Sequence, residues 1–145
     1  MTTPADPSPS ALAKWLGYAG LIPFVGLSIS VWWLDSAARA QSLHALLAYG
    51  ASIMGFLGAI HWGLTMRDPT PSSTLLAWGV MPSLTAWVAL LLPARAGLWL
   101  VVLGLCVCLA VDQRVYPRYG LRAWLKMRFL LTAIASVSCA AAALV

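Results

Sequence analysis

Glutamate is absent from this sequence, and its four acids are Asp6, Asp35, Asp68 and Asp112. Charged residues make up only 9% of 145 positions, against 61% hydrophobic. A soluble domain carries about 25% charged residues. So few charges cannot build a water-exposed surface, and the chain reads as an integral membrane protein. The scarcity of acids also weakens several kinds of chemistry. A carboxylate pair would need two of the four aspartates, which argues against hydrolase or metalloprotease work. So few charges inside apolar runs argue equally against a proton-coupled pump.

Histidine and cysteine are scarce too. His44 and His61 lie at opposite ends of one apolar segment, about 25 Å apart at ~1.5 Å per helical residue. They cannot share one metal. Cys106, Cys108 and Cys139 all fall in apolar runs, away from the oxidising aqueous faces where disulfides form. Cys106 and Cys108 point to nearly opposite sides of a helix, so they read as small apolar residues. No metal and no cofactor is assigned. The net charge of +5 does not indicate nucleic acid, because the basic residues sit between apolar runs. There they set orientation and meet anionic headgroups.

What remains is a series of long apolar runs. Residues 1–10 (MTTPADPSPS) read as a short disordered tail. Residues 11–145 then form one all-α transmembrane domain of five helices, spanning about 12–34, 43–66, 74–92, 96–111 and 125–145. The fourth run is short and needs help from flanking residues or a thin bilayer. Asp68-Pro69-Thr70-Pro71 marks a turn, and Tyr116-Pro117-Arg118-Tyr119-Gly120 separates runs four and five. Pro23 and Pro82 lie inside runs one and three and suggest kinks. Ala38-Arg39-Ala40 imitates a signal-peptidase site, but the preceding run is too long and too weakly basic at its start.

Lysine and arginine set the orientation. With the N-terminus inside, the inner side carries Lys14, Arg67, Arg114, Arg118, Arg122, Lys126 and Arg128, and the outer side only Arg39 and Arg95. The positive-inside rule then places the N-terminus in and the C-terminus out of a bacterial cytoplasmic membrane. Trp15, Trp62, Trp78 and Trp124 fall near the inner boundary, and Trp32, Trp33 and Trp99 near the outer one, as interfacial belts do.

Run two holds the stretch GFLGAIHWG, from Gly55 to Gly63. Ala51, Gly55, Ala59 and Gly63 recur every four residues, with Gly58 beside them. Such a smooth strip permits close helix packing, within the bundle or in a homodimer. His61 is offset from that ridge. An imidazole at this depth needs a hydrogen bond, an inward position or interfacial water. Three readings stay open: a structural residue, a contact to a small molecule or quinone head group, or a metal or haem ligand. Asp112 ends run four on the same side. His61, Asp112, Arg122 and Arg128 all map to the inner half, so one polar cluster is expected there, with Trp62 beside it. Asp112 either serves a function or anchors the basic loop.

Leu16-Gly-Tyr-Ala-Gly-Leu-Ile-Pro-Phe24, Tyr49 to Gly63, Met81-Pro-Ser-Leu84, Asp112 and Arg128-Phe-Leu-Leu-Thr132 together carry a resemblance. The chain resembles the bacterial members of the uncharacterised family that includes the mitochondrial transmembrane protein 69. The histidine–tryptophan–glycine segment is the most specific part, and Arg122 and Arg128 fit more loosely. The resemblance implies a small multi-pass protein of the bacterial inner membrane and no particular activity. The expected function is non-enzymatic: support of a larger membrane complex, as a partner or homo-oligomer, or binding of a small apolar ligand. The alternatives are a tetrapyrrole or lipid binder of the translocator-protein type, and a membrane enzyme using His61 and Asp112.

Overall fold

The computed structural model describes residues 8–145, and among them the secondary structure is entirely helical. The tail expected over residues 1–10 lies outside the described residues as far as position 7. Ser10 has a structural role, since its hydroxyl accepts from the Ala13 amide at 3.1 Å and caps the first helix. Five helical segments among the described residues are long and apolar enough to cross a membrane.

The first segment is two helices, α1 (Ala11–Ala19) and α2 (Ile22–Trp33). Pro23 therefore does not kink a continuous helix. It sits in the first turn of α2, where its missing amide hydrogen costs nothing. The Gly20 carbonyl at the break accepts a hydrogen bond from the Tyr49 hydroxyl at 2.8 Å. A neighbouring span thus satisfies the backbone freed at the interruption, as a low-dielectric surrounding demands.

The second span, α3 (Ser36–Met66), begins seven residues before the apolar run expected at 43. Asp35 causes the early start, because its carboxylate accepts from the Ala38 amide at 3.0 Å. The 31-residue helix is roughly 46 Å long, more than the ~30 Å hydrocarbon core. α4 (Ser73–Leu91) is capped by Ser72 and contains Pro82. α5 (Ala94–Val115) outruns the expected 96–111 at both ends and continues into a 3₁₀ turn, Tyr116–Tyr119. Helix persists past Asp112 because that residue is buried in the bundle rather than marking its edge. Gly120 reverses the chain with φ of 67°, a left-handed conformation that favours glycine. A second 3₁₀ turn, Arg122–Trp124, leads into α6 (Leu125–Ala143).

α3 is the central element and packs against α2, α4, α5 and α6. Its buried stripe includes Leu47, Gly50, Met54, Leu57, Gly58, His61 and Thr65, the i, i+3, i+4 spacing of one helix face. Leu46, Leu98, Val101, Leu105 and Cys139 complete the core. The exterior is apolar instead of charged, with Trp15, Trp33, Ile22 and Val137 exposed. Cys106 is exposed and Cys108 buried, as their two-residue spacing requires.

Candidate functional site

Chain alternation explains how distant residues meet. α3 and α5 are separated by one return crossing, so their C-terminal ends lie together. α6 starts where α5 and its turn finish. His61 late in α3, Asp112 late in α5 and Arg128 at the start of α6 therefore converge.

The three side chains form one buried cluster. The Asp112 carboxylate receives a hydrogen bond on Oδ2 from Nε of Arg128 at 2.8 Å, while Oδ1 lies 3.2 Å from Nε2 of His61. His61 and Asp112 are each 1% exposed and Arg128 7%. The other imidazole nitrogen, Nδ1, lies 3.2 Å from the Leu57 carbonyl oxygen. Both ring nitrogens thus face acceptor oxygens, and a neutral tautomer can donate to only one of them. Thr65, one turn on, donates its hydroxyl to the His61 carbonyl at 2.8 Å. Trp78 meets the imidazole edge-on, with ring centroids 6.4 Å apart, and Tyr116 lies at the same separation on another side.

The remaining expected residues lie elsewhere. Arg122 is exposed in its 3₁₀ turn. Trp62 turns away from His61 and lies across α4, its indole donating to the Leu76 carbonyl at 3.0 Å. His44 is exposed near the other end of α3. No group of three or more His, Cys, Asp or Glu side chains suited to a metal ion occurs among the described residues.

The small-residue strip divides in the same way. Ala51 is buried, Gly55 is half-buried with Ser83 nearby, and Ala59 and Gly63 are exposed. The tightest approach runs through Gly58, where a Cβ would collide with the Gly79 backbone carbonyl of α4. The packing face is therefore rotated from the Ala51–Gly63 ridge toward His61's own stripe, because Gly58 and His61 lie three residues apart.

Three unsatisfied polar atoms lie beside the cluster, Nε1 of Trp78 among them. Nη2 of Arg128 and Oγ1 of Thr132 are buried without a hydrogen-bond partner among the described residues. They are one helical turn apart on α6 and share a face. Both residues line a cleft of about 330 Å³ between α1, α3, α5 and α6. The rest of its wall is largely apolar and includes Leu16, Gly17, Ile53, Phe56 and Tyr116. Leu16 and Phe56 are about two-thirds exposed, so the cleft opens sideways among the outward-facing side chains. Sequence reasoning did not single out Trp78, Tyr116 or Thr132 as site residues. An aromatic or hydroxyl side chain in an apolar run carries no signal of its own until a neighbouring helix gives it a partner.

A family model described as "Protein of unknown function (DUF3429)" matches residues 9–144. Transmembrane protein 69 of Xenopus tropicalis is 35% identical over 136 residues, covering 87% of this chain and 51% of the relative. Transmembrane protein 69 of Mus musculus is 30% identical over 136 residues, covering 87% and 53%. The chain thus spans about half the length of the curated relatives it matches. No solved structure matches.

Proposed function

The chain belongs to the DUF3429 family, and from that premise we propose that this multi-span membrane protein binds a small bilayer-dissolved molecule in the cleft beside Arg128. The carrying observation is the cleft itself: an apolar wall, a sideways opening, and unsatisfied polar atoms of Arg128 and Thr132 beside it. A volume of about 330 Å³ falls at the low end of small-molecule pockets, about 300–1,000 Å³. The closed state of the neighbouring cluster supports binding over catalysis. Asp112 is engaged by Arg128, and neither His61 nor Asp112 lines the cleft.

Extraction in mild detergent, followed by solvent recovery and mass spectrometry of bound small molecules, tests this. A stoichiometric apolar or amphipathic ligand is expected, and its loss when Gly17→Phe fills the cleft. Ligand content unchanged by that substitution would sink the reading. Recovery of a pigment would turn it toward the tetrapyrrole alternative.

A second reading, support of a membrane complex or a homo-oligomer, draws on the exposed side of α3. A Cβ at Gly63 meets nothing within 4 Å, so this smooth strip is open to another helix. A defined co-purifying subunit lost on Gly63→Leu would favour it. The proposal includes a bacterial cytoplasmic membrane, with the N-terminus inside. Its support is the charge asymmetry of Lys14, Arg67, Arg114, Arg118, Arg122, Lys126 and Arg128 against Arg39 and Arg95. A reporter active only outside the cytoplasm should work when fused after Val145, and a cytoplasm-only signal there would refute the orientation.

A further inference from the structure

Arg128 uses only part of its guanidinium on Asp112. Nε donates to the carboxylate, while Nη2 is buried and has no acceptor among the described residues. An arginine offers donors alone, in a planar fork matched to two oxygens. Thr132 adds a hydroxyl one turn further along the same wall, also without a partner among the described residues. A buried donor left unmatched is costly, so this pair calls for an acceptor from the cleft.

The surrounding charge selects the acceptor's sign. Arg114, Arg118, Arg122, Lys126 and Lys14 belong to the same end of the bundle, and Asp68 and Asp112 are the described acids there. Asp112 is already engaged by Arg128, and Asp68 by Thr70 and Tyr119. The excess positive potential favours an anion. The rest of the cleft is apolar, opens sideways, and holds about 330 Å³, which suits one acyl chain better than two.

We propose that the cleft binds a long-chain carboxylate, its head group at the Arg128–Thr132 end, where a rotamer change turns the buried Nη2 and Oγ1 toward it, and its chain along Leu16, Ile53 and Phe56. This rests on the cleft reading above and names its ligand class. The carboxylate's two oxygens match the two donors, and a charge-assisted bond to arginine is the stronger kind.

Dibromostearic acid and its methyl ester test the assignment, because bromine quenches tryptophan and Trp124 lines the cleft. The protein is reconstituted in phosphatidylcholine nanodiscs, and fluorescence is followed as each probe is added. The acid is expected to quench saturably at about tenfold lower concentration than the ester, the ratio that one charge-assisted bond gives. Trp124→Phe should remove most of the saturable part. Thr132→Val should raise the half-quenching concentration of the acid about threefold, as for one modest membrane hydrogen bond, and leave the ester unchanged. Arg128→Lys keeps the charge but loses the fork, and should weaken the acid alone. Equal quenching by acid and ester would overturn the carboxylate while leaving the cleft reading intact. No saturable quenching by either probe would overturn both. Tighter binding of brominated phosphatidic acid than of the free acid would overturn the single-chain assignment.

Discussion

Nε2 of His61 lies 3.2 Å from Oδ1 of Asp112, yet neither atom makes an aligned hydrogen bond. The aligned contact is on the other oxygen, where Arg128 donates at 2.8 Å. Asp112 is thus held first by Arg128 and only neighboured by His61. This ordering separates the roles of the three residues and sets the first expectation.

Removing Asp112 should hurt more than removing His61. Asp112→Ala leaves the Arg128 guanidinium buried without its counter-charge, a loss of about 3–5 kcal/mol. His61→Ala leaves the Arg128–Asp112 pair intact and should cost clearly less. Asp112→Leu combined with Arg128→Met removes both charges and should recover most of the stability. Unfolding by sodium dodecyl sulfate titration, followed by circular dichroism, measures all three variants against the parent. Equal losses for Asp112→Ala and His61→Ala would contradict the ordering.

Three glycines should respond to alanine in a graded way. Gly58→Ala drives a methyl into the Gly79 backbone carbonyl and must part α3 from α4, costing about 1–3 kcal/mol. Gly104→Ala meets the flexible tip of Met54, which can swing aside, so a loss below about 1 kcal/mol is expected. Gly63→Ala meets nothing within 4 Å and should gain up to about 1 kcal/mol from helix propensity. The same detergent titration ranks them, and a Gly58→Ala protein as stable as the parent would disprove the close contact.

Two hydrogen bonds tie the first span to the rest of the bundle, beside the apolar packing of Phe24 and Val31. Ser28 donates to the Ser138 carbonyl on α6 at 2.8 Å, and Tyr49 donates to Gly20 at 2.8 Å. Ser28→Ala and Tyr49→Phe should each cost about 0.6 kcal/mol, and at most about 1.7, the range for such bonds in membrane proteins. Together they should speed hydrogen exchange in α1 and α2 while α3 stays protected. Uniform exchange across all helices would show that the first span is not a separable unit.

Asp68 lies outside the spans and supplies a pH dependence. The Thr70 amide and the Tyr119 hydroxyl, at 3.0 Å and 2.9 Å, hold its carboxyl below the ordinary aspartate range. A carboxyl whose folded value is depressed stabilises the fold fully above its unfolded value, and that contribution fades as pH falls through the folded one. Acidification should therefore release the contact between the 67–72 loop and the turn at Tyr119. Asp68→Asn should flatten that part of the acid response, read by loop proteolysis against pH. An unchanged acid profile would exclude the contact.

Five apolar runs, the breaks between them and the charge bias are one-dimensional properties. A bilayer about 30 Å thick and the need to satisfy every backbone group inside it translate them directly into spanning helices. The sequence by itself therefore determined an all-helical membrane protein, and it placed His61, Asp112 and Arg128 at one end. It did not determine which of the basic residues would reach Asp112, because that depends on the rotation and crossing of α6 against α5. Arg128 points inward and Arg122, only six residues away, does not. The same rotation decided that Gly58, not the Ala59–Gly63 edge, meets α4, and that Trp62 lies over α4 while Trp78 meets the imidazole. The interruption at Gly20 helps form the cleft beside Arg128, a space that belongs to no single helix. Periodicity reports what each helix offers, and only tertiary packing decides what receives it.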